Sequence, residues 1–228
     1  MRAFVVAAFL VVSACASVQG AENAPPPFST DAAAAPTAPS LDGVADYPIP
    51  VDLPAGAYRI DPNHATVLFR IRHMELAWLT ARFNDKDATL DLDPTDPSRS
   101  RLTASVATAS VSSGVADQQG EGRFDHTLAR VLGADATPRI SFTSTAIHRT
   151  GAHTAQVTGD LTLNGQTHPA TLDVTFDGGR VDPLRGGSMV LGFSAHGSID
   201  RSQWGVNNWS AFVGNEVQIV IEAELIKA

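Results

Sequence analysis

The stretch Ala155–Phe176, AQVTGDLTLNGQTHPATLDVTF, decides the fold. Up to Leu163 it alternates, with Ala155, Val157, Gly159, Leu161 and Leu163 on one face and Gln156, Thr158, Asp160 and Thr162 on the other. A period of two is a strand with one dry side, because successive side chains leave an extended backbone in opposite directions. Asn164-Gly165 then supplies two residues that tolerate positive φ, as a tight primed turn requires, and alternation resumes with Ala170, Leu172, Val174 and Phe176. The segment is a β-hairpin. Its dry face needs a cover, and the chain offers no long amphipathic helix to supply one. The cover must be more sheet, which makes this a closed or sandwiched antiparallel β-protein.

Outward from the hairpin the same period recurs. Tyr58 and Ile60 open the folded part; after Asp61-Pro62-Asn63 comes a strand with Val67, Phe69, Ile71 and His73 inward. Leu79 to Asp93 follows with Ala88, Leu90 and Leu92 inward, then Leu102 to Val111, rich in small residues. Between Asp117 and Leu132 lies one short helix, interrupted at its start by Gly120 and Gly122 and placed as a plug or lid. Arg139 to His148 carries Ile140 and Phe142 inward, and after the hairpin Ser188 to Ile199 carries Met189, Leu191, Phe193 and Ala195. Asn215 to Leu225 closes the domain with Val217, Ile219, Ile221, Ala223 and Leu225 inward. About eight antiparallel strands can close a barrel whose interior is either packed solid or holds one small ligand. Small inward residues (Ala104, Ala155, Gly159, Ala170, Ala195, Ala223) beside large ones hint at a cavity, but such alternation also fills a tapering solid barrel.

The N-terminal part does not belong to the core. Met1-Arg2 followed by the apolar run Ala3 to Val12 is a secretory signal, too short to span a bilayer. We read residues 1–20 as that signal and 21–55 as an Ala/Pro-rich linker; Pro25 to Pro54 holds 8 of the 14 prolines. Residues 56–228 are the folded domain. The run ends in Val12-Ser13-Ala14-Cys15, which resembles the lipobox of bacterial lipoproteins, so Cys15 is expected to be lipidated; ordinary cleavage after Ala16 or Gly20 is the alternative. The expected location is the periplasm, tethered to an envelope membrane by a linker that extends on the order of 100 Å at roughly 3 Å per residue. Cys15 is the only cysteine, so the folded part has neither disulfide nor thiolate metal site. With 16 basic against 24 acidic residues the net charge is −8. Such a chain is a poor nucleic-acid binder and is not drawn to an anionic membrane by charge, which leaves the lipid anchor as its route to a membrane.

Tyr58-Arg59-Ile60-Asp61, then His64, Phe69 and His73, resemble the opening of the YceI-like family of bacterial periplasmic proteins. So do PRISFTS (Pro138 to Ser144), Gly159 to Leu163 with Gly165, Thr167 and Pro169, and FSAHGSIDRSQWG (Phe193 to Gly205). The resemblance spans about Ala57 to Lys227. It implies a lipocalin-like antiparallel barrel whose apolar interior binds a polyisoprenoid, quinone-like or fatty-acyl lipid; together with the strand pattern this gives an all-β, eight-stranded barrel with one short helix, expected to need no further cofactor. The chain departs from the family where Asp125-His126-Thr127-Leu128 has its His one place early, and where Ala81 stands at a position commonly Gly.

The candidate lining residues are Phe69, Ile71, Leu90, Leu92, Phe142, Leu161, Phe176, Leu191 and Phe193, with His73 as a polar contact for a head group. Trp204 and Trp209 with Arg201 either wall the mouth or belong to a loop packed over the barrel end. Seven histidines form no HxH or HExxH pair, and there is no GxSxG elbow, phosphate loop or dinucleotide fingerprint, so neither a metal site nor an enzyme is expected. A solid-core interaction module on a long linker is the competing reading; it would show an exposed apolar patch instead of a void. A third reading, a hydrolase, would need a buried Asp or His near the mouth with a strongly perturbed titration. A homodimer stays open.

Overall fold

The computed structural model describes residues 52–116 and 122–228. The expected signal, Cys15 and nearly all of the linker lie outside them. Ten strand segments and one helix follow in order: β1 (Gly56–His73), β2 (Ala77–Phe83), β3 (Lys86–Leu92), β4 (Arg101–Ala107), β5 (Val111–Ser112), α1 (Arg123–Val131), β6 (Arg139–Arg149), β7 (Thr154–Leu163), β8 (Gln166–Asp182), β9 (Ser188–Asp200) and β10 (Val213–Lys227). All pairings are antiparallel, and β10 returns to β1, which closes the sheet. β2 and β3 lie end to end along β1, pairing its second and first halves, and β5 extends β4 in the same way. The wall is therefore eight strands around. The expected eight-stranded barrel with one short helix is what the chain forms.

The Asn164-Gly165 turn has φ of 50° and 73°, the two left-handed residues of a primed turn, and it sets a register in which Leu163 faces Gln166 and Ala155 faces Val174. Two strands read as continuous are broken. Asn84-Asp85 bends Leu79–Asp93 into β2 and β3, and a single turn of 3₁₀ helix at Thr108–Ser110 separates β4 from β5. β1 carries a large bulge, since Ile60 pairs with Leu225 but Ala65 with Ala223, so residues 61–64 leave the ladder. Pro62 has no N–H to give, and the Asp61 carboxylate accepts the Asn63 N–H at 3.0 Å, which turns the chain outward.

α1 starts after Gly122, whose φ of 63° only a residue without Cβ adopts freely, and it buries Leu128 and Ala129 against Ala81, Phe83, Val106 and Val111. Nine residues make a marginal helix by themselves; packing on the barrel rim holds this one. Residues 117–121 of the expected helix lie outside the described set. Asp125, in the segment where the chain departs from the family pattern, accepts hydrogen bonds from Ser113 N–H (2.9 Å) and Oγ–H (2.6 Å), tying α1 to the end of β5. His126 is exposed.

Candidate functional site: a hollow apolar barrel

Inside the wall lies a cavity of about 1020 Å³, at the upper end of what small-molecule sites occupy. Phe69, Phe176, Phe193, Val217, Ile219 and Ile221 all line it, yet none is fully buried. Inward side chains of a solid core would be covered by one another; these stay partly exposed because the space between them is unfilled. Water is a poor tenant there. A buried water needs two to four polar partners, and the central lining is aliphatic and aromatic.

Ten of the eleven expected ligand-binding residues, Cys15 set apart, lie on this lining. Phe69, Ile71 and His73 come from β1, Leu90 and Leu92 from β3, Phe142 and Leu161 from β6 and β7, and Phe176, Leu191 and Phe193 from β8 and β9. Trp204 is placed elsewhere. It is 1% exposed, packs with Val206 against Leu161 and Leu163, and donates its indole N–H to the Leu161 carbonyl at 3.0 Å. The Asn164 amide donates to the Trp204 carbonyl at 3.0 Å, so the loop after β9 is clamped onto the hairpin turn. Trp204 fixes a wall rather than lining a space, because its one polar atom needs a backbone acceptor that the apolar interior does not offer.

The small inward residues divide into two sets. Ala104, Ala155 and Ala223 are half-buried on the cavity, whereas Gly159 makes room for a neighbour: a Cβ there would fall 2.5 Å from Phe142 Cζ and 2.5 Å from the Thr143 carbonyl oxygen. Sequence parity also fails at one bulge. The register of β6 on β7 shifts between Ser144 and Ala146, which brings Ile147 and Arg149 onto the lining in place of Ala146 and His148.

Polar lining groups gather toward the two ends. At the α1 end, His73 joins Phe124, Trp209 and Phe212. Arg201, 4% exposed, also reaches the lining there, but it donates Nε–H to Gly214 O (2.9 Å), Nη1–H to Val206 O (2.6 Å) and Asn208 O (2.8 Å), and Nη2–H to Val213 O (3.1 Å). Burial draws its guanidinium below its ordinary value, against the pull of Asp200. It holds the loop between β9 and β10 together. The opposite end carries Arg149, His153 and Thr154 at the turn between β6 and β7.

One charged cluster sits on the wall outside the cavity. Asp61, 3% exposed, accepts from His64 Nδ1 at 2.6 Å and from Arg185 Nη2, and Glu224 stands 4.0 Å from His64. Burial alone would raise the Asp61 carboxyl, but the His64, Asn63 and Arg185 hydrogen bonds and the guanidinium charge hold it below its ordinary 3.8. Asp61, His64 and Glu224 bring ligand atoms within 4.8 Å of one another, a grouping that strand parity hides because residues 61–64 bulge. The Arg185 guanidinium stands among them and supplies the positive charge a metal would otherwise bring.

Comparison with known proteins places this barrel. The YceI-like domain matches residues 58–225. A UPF0312 protein of Serratia proteamaculans (strain 568) is 33% identical over 176 residues, covering 76% of this chain and 88% of the relative. Protein YceI of Salmonella newport (strain SL254) is 33% identical over 172 residues, 75% and 86% of the two chains. Among solved structures, Burkholderia cenocepacia BcnA superposes with a TM-score of 0.61 at 22% identity, covering 74% of this chain and 99% of its own. A polyisoprenoid binding domain from Saccharophagus degradans, implicated in plant cell wall breakdown, superposes with a TM-score of 0.51 at 10% identity, covering 77% and 100%. The protein is a member of the YceI-like domain family.

Proposed function

We propose that this barrel takes up one long apolar lipid, a polyisoprenoid, quinone-like or fatty-acyl chain, and carries or sequesters it in the bacterial periplasm without chemically changing it. The observation that carries the reading is the closed wall around an apolar cavity of about 1020 Å³. The fold neighbour described as a polyisoprenoid binding domain supports the ligand class. Lipidation at Cys15 would keep the carrier beside the membrane that supplies its cargo.

Each methylene removed from water gains about 0.8 kcal/mol, but a bilayer offers the same gain. Selectivity therefore comes from shape. Phe69 and Phe83 on one wall, with ring centroids 5.5 Å apart, and Phe176 and Phe193 on another, 5.2 Å apart, present rigid surfaces between which a chain can lie. His73 at one end and Arg149 and His153 at the other are among the polar lining groups that could meet a head group. The test is gel filtration of the full-length protein after incubation with a radiolabelled prenol, a ubiquinone or palmitate. Co-elution of one of them near one per chain supports the reading; exclusion of all three refutes it.

A further inference from the structure

We propose that the α1 end of the barrel is a bilayer-contacting rim through which the apolar cargo enters and leaves, a reading that rests on the proposed lipid-binding function. Among the described residues eight large apolar side chains are exposed, and six belong to this end: Met74, Leu76, Trp78, Val115, Trp209 and Phe212. The backbone draws them together. Met74 N–H donates to Phe212 O at 2.6 Å, Phe212 N–H to Trp209 O at 2.8 Å, and Trp209 stacks on Phe124 of α1 at 6.4 Å. Val115 follows Ser113, which is bonded to Asp125 of the same helix.

The patch is continuous with the cavity, which points to lipid as its occupant. Trp209 and Phe212 are 42% and 57% exposed, yet both line the interior. A chain sliding over them passes from a membrane into the barrel without crossing water. A protein partner or a second copy of this chain seated on the same residues would instead stopper the cavity. Charge agrees: in a chain of net charge −8, Arg70 and Arg72 stack over the Trp78 ring at 4.9 and 5.2 Å, and the nearby Glu75 is paired with Arg72 at 3.8 Å. An aromatic ring with cations beside it suits the headgroup boundary, where long cationic side chains reach back to water. The β1–β2 turn itself holds Met74 and Glu75 at φ of 51° and 57°, a geometry for which Asn-Gly is the easy choice, and it thereby presents Met74 and Leu76 at the extremity. No helix among the described residues is long and apolar enough to span a membrane. The linker read from the sequence is long enough to bring this rim to the bilayer that would hold Cys15.

The test uses the full-length protein and vesicles of phosphatidylethanolamine and phosphatidylglycerol, with and without a labelled prenol. Neither Met74 nor Leu76 lines the cavity, so the double variant Met74→Ser/Leu76→Ser should bind the prenol unchanged when it is presented on cyclodextrin. Its transfer rate from vesicles and its flotation with them should fall by about tenfold or more, the loss expected for two apolar side chains left in water. Leu184→Ser, at the opposite end and 94% exposed in the native chain, should change neither. Equal transfer by the native and double-variant proteins, equal loss in Leu184→Ser, or a native dimer that the double variant dissolves would overturn the proposal. Failure of the native protein to take prenol even from cyclodextrin would sink the lipid-binding reading instead, and flotation with prenol-free vesicles would still test the rim.

Discussion

Replacing Ala223 by Leu separates a hollow barrel from a solid one by the sign of a stability change. Ala223 lies on β10 between Ala65 of β1 and Phe193 of β9, half-buried and on the cavity. Leucine adds three carbons. In a filled core they would force neighbours off their rotamers, at about 1–3 kcal/mol. Here they enter unfilled space bounded by apolar groups, and at about 0.8 kcal/mol per carbon the gain is about 2.4 kcal/mol, less roughly 0.5–1 for the rotamer freedom that leucine surrenders. The variant should be about 1–2 kcal/mol more stable without ligand, while its affinity for a cavity-filling lipid falls. Ala104→Leu, beside Ala88 and Phe142 on the facing part of the wall, repeats the test independently. Urea unfolding followed by tryptophan fluorescence gives the first quantity, provided the slope with denaturant is unchanged, and lipid titration gives the second. Destabilisation of both variants with lipid capacity intact would show that the interior is packed and that ligand sits elsewhere.

Gly159→Ala should destabilise by about 1–3 kcal/mol even though it too only adds carbon at a small inward residue, because its Cβ meets a backbone oxygen that cannot move; stability equal to the native chain would count against the Phe142–Gly159 packing. Trp204→Phe removes the indole hydrogen bond to the Leu161 carbonyl and leaves a gap where the larger ring packed, a loss of about 1–3 kcal/mol that lowers the melting temperature by roughly 2–4 °C per kcal/mol. Ligand affinity should change little, since Trp204 is off the lining. Asp61 is held below its ordinary 3.8 in the folded state, so its contribution is complete above that value and is lost as pH falls through the folded one. Asp61→Asn should flatten the fall in urea midpoint on acidification below about pH 4; an unchanged acid limb would mean that other carboxylates set it.

Strict alternation made the hairpin, the closing strand and the inward facing of ten cavity-lining residues legible, because one buried face and a period of two leave a single register. What alternation could not show are the places where the period breaks. The bulge at 61–64 gathers Asp61, His64 and Glu224 although His64 and His73 lie nine apart, and the bulge after Ser144 turns Arg149 rather than His148 inward. Arg185 reaches Asp61 across 124 residues, a pairing that only the closed barrel creates. Trp204 sits in a loop, where no periodicity assigns a face, and its indole N–H decided its place. The apolar rim was written in the sequence as isolated residues in three separate segments. Only the barrel's closure brings Met74, Val115 and Phe212 to the same end.

Native mass spectrometry of the full-length protein, produced with its own signal in a bacterial host and purified without lipid-like detergent, tests lipid carriage most directly. A lipid carrier should appear as a population heavier by one apolar molecule, released into organic solvent and identified there as a prenyl, quinone-like or acyl lipid. Protein of bare mass that also stays bare after exposure to prenols, quinones and fatty acids would contradict it.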